Sequence, residues 1–99
     1  MAKSFYSAYV EHCMRFYSRY PNLTRFRSDA DKENWFACKN ALKDFSAEDT
    51  ERLLIIYREG DTIADNVYQL SKREKINQDS LWKLLGSLER KVARNRGLI

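Results

Sequence analysis

Proline and glycine are scarce here, with one Pro and three Gly in 99 residues. Long irregular loops and closely spaced hairpins draw on both, so a strand-rich architecture is disfavoured. Cysteine is limited to Cys13 and Cys38, with no CxxC and no Cys/His spacing that would suit zinc. Each falls on an apolar stripe and reads as a buried thiol. A Cys13–Cys38 disulfide is geometrically conceivable but out of keeping with a reducing compartment. The single histidine, His12, precedes Cys13 directly. Adjacent helical residues diverge by about 100°, so the two do not form a nucleophile–base pair. A glycine-rich phosphate loop is lacking. The acid pairs Asp29/Asp31 and Glu48/Asp49 sit at expected helix starts, where capping and the helix dipole account for them. No catalytic residue, metal or cofactor is implied, and a non-enzyme is expected. No apolar run is long enough to span a membrane. The first twenty residues are interrupted by Lys3, Glu11, His12, Arg15 and Arg19, which leaves no signal-peptide stretch, and a cytoplasmic protein is expected.

What the chain does have is 43% hydrophobic and 32% charged residues, enough for one compact domain with a polar surface. The periodicity predicts five helices in an all-α bundle. Lys3–Tyr20 carries the stripe Tyr6, Val10, Cys13, Tyr17 and Tyr20, widened by Phe5, Tyr9 and Phe16, and Pro21 ends it. Its rings suit core packing or helix–helix association better than base stacking, and dimerisation through them is a further option. Pro21–Arg27 is the longest loop. Within it Arg25-Phe26-Arg27 could hold a phosphate or a base, but the favoured reading has Phe26 plugging the core. Ser28–Phe45 opens on a Ser28/Asp31 capping box and presents Trp35, Cys38, Leu42 and Phe45, with Ala37 and Ala41 allowing close approach. Ser46/Asp49 caps a third helix, Ala47–Arg58, with Leu53, Leu54 and Tyr57 inward and Gly60 as its stop.

The last two helices form the organising stretch. Thr62, with Asp65 three residues on, caps a helix to Glu74 whose Ile63, Val67 and Leu70 share a face. Ile76 and Asn77 make the break. Asn77 caps a helix carrying Leu81, Leu84, Leu85, Leu88 and Val92 down to about Ala93, and Gly97 is a suitable stop.

The order Leu70, Ser71, Ile76, Leu81 and Leu84 resembles a helix-turn-helix. It is closest to the region-4-like domains of sigma factors and the small phage or mobile-element regulators built on them. The likeness covers about the last third to half of the chain. Lys75 stands where glycine is usual, which predicts a wider turn, and Glu74 stands where a second buried aliphatic is common. The resemblance implies that the last helix enters the major groove of double-stranded DNA, with its first turns near base edges.

Charge is distributed to match. Residues 1–51 hold 8 Lys/Arg and 8 Asp/Glu, whereas residues 52–99 hold 10 and 6. The net charge of +4 therefore lies in the second half. The expected base readers are Gln78, Ser80 and Lys83. Lys72, Arg73, Lys75, Arg90 and Arg94 are the expected phosphate contacts. Asn77 is expected to be occupied by capping. Two residues point elsewhere: Asp79 would meet phosphates with a carboxylate, and Trp82 is a clumsy base reader. Trp82 above Gly86 looks like a docking surface for a host protein or a second subunit. The alternative function is accordingly a phage or mobile-element interaction module. By analogy of size alone, inhibitors of CRISPR nucleases and modifiers of RNA polymerase belong to that class.

Overall fold

The computed structural model describes residues 4–99, and the expected helix start at Lys3 lies outside them. Among the described residues there are five helices and no strand: α1 (Ser7–Arg19), α2 (Asp29–Leu42), α3 (Ala47–Arg58), α4 (Ile63–Glu74) and α5 (Gln78–Asn95). The all-α bundle is as the periodicity predicts. No helix among these residues is long and apolar enough to cross a membrane.

The helix starts follow the local chemistry. The hydroxyls of Ser28, Ser46 and Thr62 accept from the backbone N–H of Asp31, Asp49 and Asp65, each at 3.1 Å. Each satisfies one of the N–H groups that a helix leaves unpaired at its start. Asn77 Oδ1 does the same for Asp79 at 2.8 Å. The helix ends are less faithful to expectation. Gly60 is not the stop of α3: Glu59 leaves the helix in an extended conformation, and Gly60 has no positive φ. Gly97 does end α5, at φ 72°, and Leu98 N–H returns to the Ala93 carbonyl at 2.8 Å. α2 stops at Leu42, so Phe45 is half-buried in the following turn rather than on the helix.

α5 is the central strut, packing on α1, α2, α3 and α4, while α1 also packs on α2 and α3. The core gathers Val10, Cys13 and Met14 of α1, Cys38 and Ala41 of α2, and Leu53, Ile56 and Tyr57 of α3. Val67 and Leu70 of α4 join them, with Leu81, Leu85, Leu88 and Val92 of α5. The aromatic stripe of α1 needs correction. Tyr6 is buried and Tyr17 half-buried, but Phe5 and Tyr20 are 83% and 55% exposed, and Met14 fills the core in their place. Tyr20 lies past the last turn of α1, where the helical register no longer directs its ring inward. Phe26 does not plug the main core as expected: it is half-buried and packs edge-on against Trp35 at 5.6 Å, in an aromatic cluster beside that core. Both thiols are free and buried; desolvation pushes Cys13 up to about 11 and raises Cys38 further.

Candidate nucleic-acid interface

α4 and α5 are joined by Lys75, Ile76 and Asn77. Lys75 itself adopts the left-handed conformation that glycine would supply, φ 56° and ψ 46°. The connection therefore stays at three residues, and the expected widening does not occur. Ile76 N–H donates to the Ser71 carbonyl at 3.0 Å, and the Ser71 hydroxyl donates back to the Ile76 carbonyl. Leu70 and Leu81 are buried and Ile76 and Leu84 half-buried around this turn. Glu74 is exposed and accepts from Arg52, so it takes part in a surface ion pair instead of the core.

The base of the unit is locked from outside. Buried Asn66 of α4 donates through Nδ2 to the carbonyls of Ile56, Glu59 and Asp61, at 2.8, 3.3 and 3.2 Å. Arg15 of α1 donates to Tyr57 and Glu59 at 3.2 and 2.6 Å through Nη1, and to Asp61 at 2.8 Å through Nη2. Arg58 Nε reaches the Ser18 carbonyl at 3.3 Å. Arg15 and Asn66 thus satisfy carbonyls left open where α3 ends, and Arg58 one at the end of α1.

α5 stands as a ridge between two grooves. On one flank Ser80, Lys83 and Ser87 face Phe45, Asp49 and Arg52 across a shallow groove of about 460 Å³. On the other, Asp79, Trp82, Gly86 and Glu89 face Ser7 and Glu11 of α1 and the start of α4 across a groove of about 700 Å³. The expected base readers Ser80 and Lys83 therefore share a flank, and Asp79 and Trp82 fall on the opposite one. Gln78 is exposed at the first position of α5.

The cations divide sharply. Of the ten Lys/Arg in residues 52–99, four are engaged within the fold. Arg52 pairs with Glu48, Asp49 and Glu74, and Arg58 holds Ser18. Lys91 pairs with Asp44. Arg96 pairs with Glu33 at 3.0 Å and donates to Asn34 Oδ1 at 2.6 Å. The remaining six are Lys72, Arg73, Lys75, Lys83, Arg90 and Arg94. All are exposed, and none makes an ion pair or side-chain hydrogen bond among the described residues. Lys72 lies over the Tyr68 ring at 5.2 Å. Arg90 reaches back over Gly86. These six are the cations singled out from the pattern alone. The walls Ile63 and Glu11, from α4 and α1, were not foreseen as neighbours of Trp82. Only the spacing of Trp82, Gly86 and Glu89, one face of one helix, hinted at a surface there.

No protein-family model, curated protein or solved structure matches this chain.

Proposed function

We propose that this chain is a small cytoplasmic DNA-binding regulator, a non-enzyme that engages double-stranded DNA through α4, its turn and α5 as a helix-turn-helix. The observation that carries this reading is the division of the cations. In residues 52–99, where Arg52, Arg58, Lys91 and Arg96 are drawn into internal bonds, six Lys/Arg on α4's last turn, the turn itself and the outer side of α5 stay in water. A surface that neutralises phosphates needs cations whose bonds are not already spent, since displaced counterions supply the free energy.

In this reading α5 lies in the major groove. The Gln78 amide pairs with adenine, Lys83 donates to guanine, and the Ser80 hydroxyl serves either. Lys72, Arg73, Lys75, Arg90 and Arg94 hold phosphates. The separation of the two flanks of α5 supports it. Asp79 and Trp82, the residues least suited to DNA, face the groove opposite to the one that Ser80 and Lys83 line.

The test is affinity for nonspecific duplex DNA across a salt series, for the native chain and for Arg90→Ala/Arg94→Ala. The native chain is expected to lose affinity steeply with salt. The double variant should bind all sequences more weakly, with the log–log slope reduced by up to about two phosphate contacts. A native slope near zero, or undiminished binding by the variant, would overturn the proposal.

A further inference from the structure

The groove on the other flank of α5 holds none of the proposed base readers, and its chemistry is different. Its apolar surface comes from Ile63, Trp82 and Leu85, with buried Tyr57 beneath. Three carboxylates ring it: Glu11, Asp79 and Glu89. The Glu11 carboxylate lies 3.1 Å from Arg15, whose guanidinium is otherwise turned inward onto backbone carbonyls, and Glu89 accepts from the Ser7 hydroxyl at 3.1 Å. Two cations border the groove: Arg15, held by Glu11 and the Tyr57 carbonyl, and Arg90, which reaches over Gly86. A polyanion is repelled by such a rim, whereas a cationic partner is drawn to it.

Gly86 sharpens the point. Glycine in mid-helix weakens the helix relative to alanine. Here the fold gains nothing in return, because a Cβ at Gly86 would meet only the tip of Arg90, at an ordinary 3.6 Å. A bare backbone one turn beyond a half-buried tryptophan lets another chain come close. With no sheet edge among the described residues to extend, a segment crossing the groove binds by laying a helix into it.

We infer that this groove docks a cationic amphipathic helix of a partner protein. The partner's small or aliphatic residues cross Gly86 and pack on the Trp82 indole. Its flanking Lys or Arg residues meet Glu11, Asp79 and Glu89. The site lies on the flank of α5 away from Ser80 and Lys83 and meets the proposed DNA surface only at Arg90, which reaches over Gly86; the inference rests on the groove's own chemistry and stands whether or not the chain binds DNA.

The probe is a designed helical peptide of about five turns with a Leu/Ala stripe flanked by lysines, and a twin in which glutamates replace the lysines. Binding is followed by the indole N–H signal of Trp82 in ¹⁵N NMR. Trp35 serves as the internal control, since its indole is held by the Tyr20 carbonyl at 2.8 Å. The lysine peptide is expected to shift Trp82 and the backbone of residues 82–89, with the glutamate twin at least about tenfold weaker. Gly86→Leu should lower affinity by about tenfold or more while a thermal melt reports an intact fold. Asp79→Asn/Glu89→Gln, two surface changes that preserve shape, should weaken the lysine peptide and leave the glutamate twin no weaker than before. Equal binding of the two peptides, shifts that spare Trp82, or full affinity in Gly86→Leu would overturn the inference. So would a dimer, seen by light scattering, that Gly86→Leu dissociates, since the occupant would then be a second copy.

Discussion

The corner between α3 and α4 and the unit formed by α4, its turn and α5 are neighbours in sequence, yet they use polar residues in opposite ways. At the corner Arg15, Arg58 and Asn66 are turned to the fold's own backbone. Together they reach the carbonyls of Ser18, Ile56, Tyr57, Glu59 and Asp61. In the α4–α5 unit six cations make no ion pair or side-chain hydrogen bond among the described residues. Two further choices there run against stability: a lysine where the backbone wants glycine, and a glycine where the helix wants alanine. Residues that stabilise a fold and residues that serve a surface can be told apart by this test, even when the residue types are the same.

The largest expected effect comes from breaking the corner. Asn66→Ala removes one amide that serves three carbonyls, in a residue only 5% exposed. Arg15 still serves the Glu59 and Asp61 carbonyls, so the buried acceptor left unpaired is that of Ile56; this costs about 1–3 kcal/mol, and a denaturant midpoint below that of the native chain is expected, with the slope unchanged. A midpoint that does not move would mean that water replaces the amide, and the corner would lose its place in the comparison.

Much of this architecture could be read before any coordinates, and the reason is locality. A cap is made within four residues, so Ser28, Ser46, Thr62 and Asn77 announced themselves. The six free cations were legible because their neighbours in sequence already placed them on a basic, outward stretch. The corner was not legible. Arg15 acts on carbonyls more than forty residues away, and nothing in a pattern of side chains reports where backbone groups are left unpaired. The burial of Met14, Ile56 and Asn66, against the exposure of Phe5 and Tyr20, was hidden for the same reason. Periodicity gives a helix its apolar side, but its neighbours decide how far along the helix that side is covered. Likewise the groove that Trp82 and Glu11 both line needs α1 beside α5, a proximity that spans most of the chain.

The next test sharpens the other side of the comparison. Lys75 holds φ 56° with a full side chain. The left-handed region costs an ordinary residue roughly 1–2 kcal/mol, and glycine gives part of that back through its freer unfolded state. Lys75→Gly should therefore stabilise the fold by about 1 kcal/mol net. If Lys75 is kept for its charge, the same variant should bind duplex DNA more weakly, its salt slope smaller by at most about one contact. A more stable variant with unaltered DNA binding would leave Lys75 without the role proposed for it.

The smallest effect is the most discriminating. Gly86 lies in the middle of an 18-residue helix, half-buried and free of close neighbours other than Arg90. Gly86→Ala adds a methyl into open space and removes a source of unfolded-state freedom, so it should stabilise the fold by about 0.5–1 kcal/mol. For a chain of this size that corresponds to a rise of roughly 2–8 °C in Tm. The same methyl should weaken the lysine peptide, since it stands where the partner's backbone comes closest, and Ala has none of the bulk that would let Gly86→Leu act merely by filling the groove. Stability gained and peptide affinity lost, in one small substitution, would mark Gly86 as a residue held for contact and not for folding. If Gly86→Ala instead lowers Tm, the glycine answers to a packing need inside the bundle. The argument for an external partner would then have to rest on Trp82 and the carboxylate rim alone.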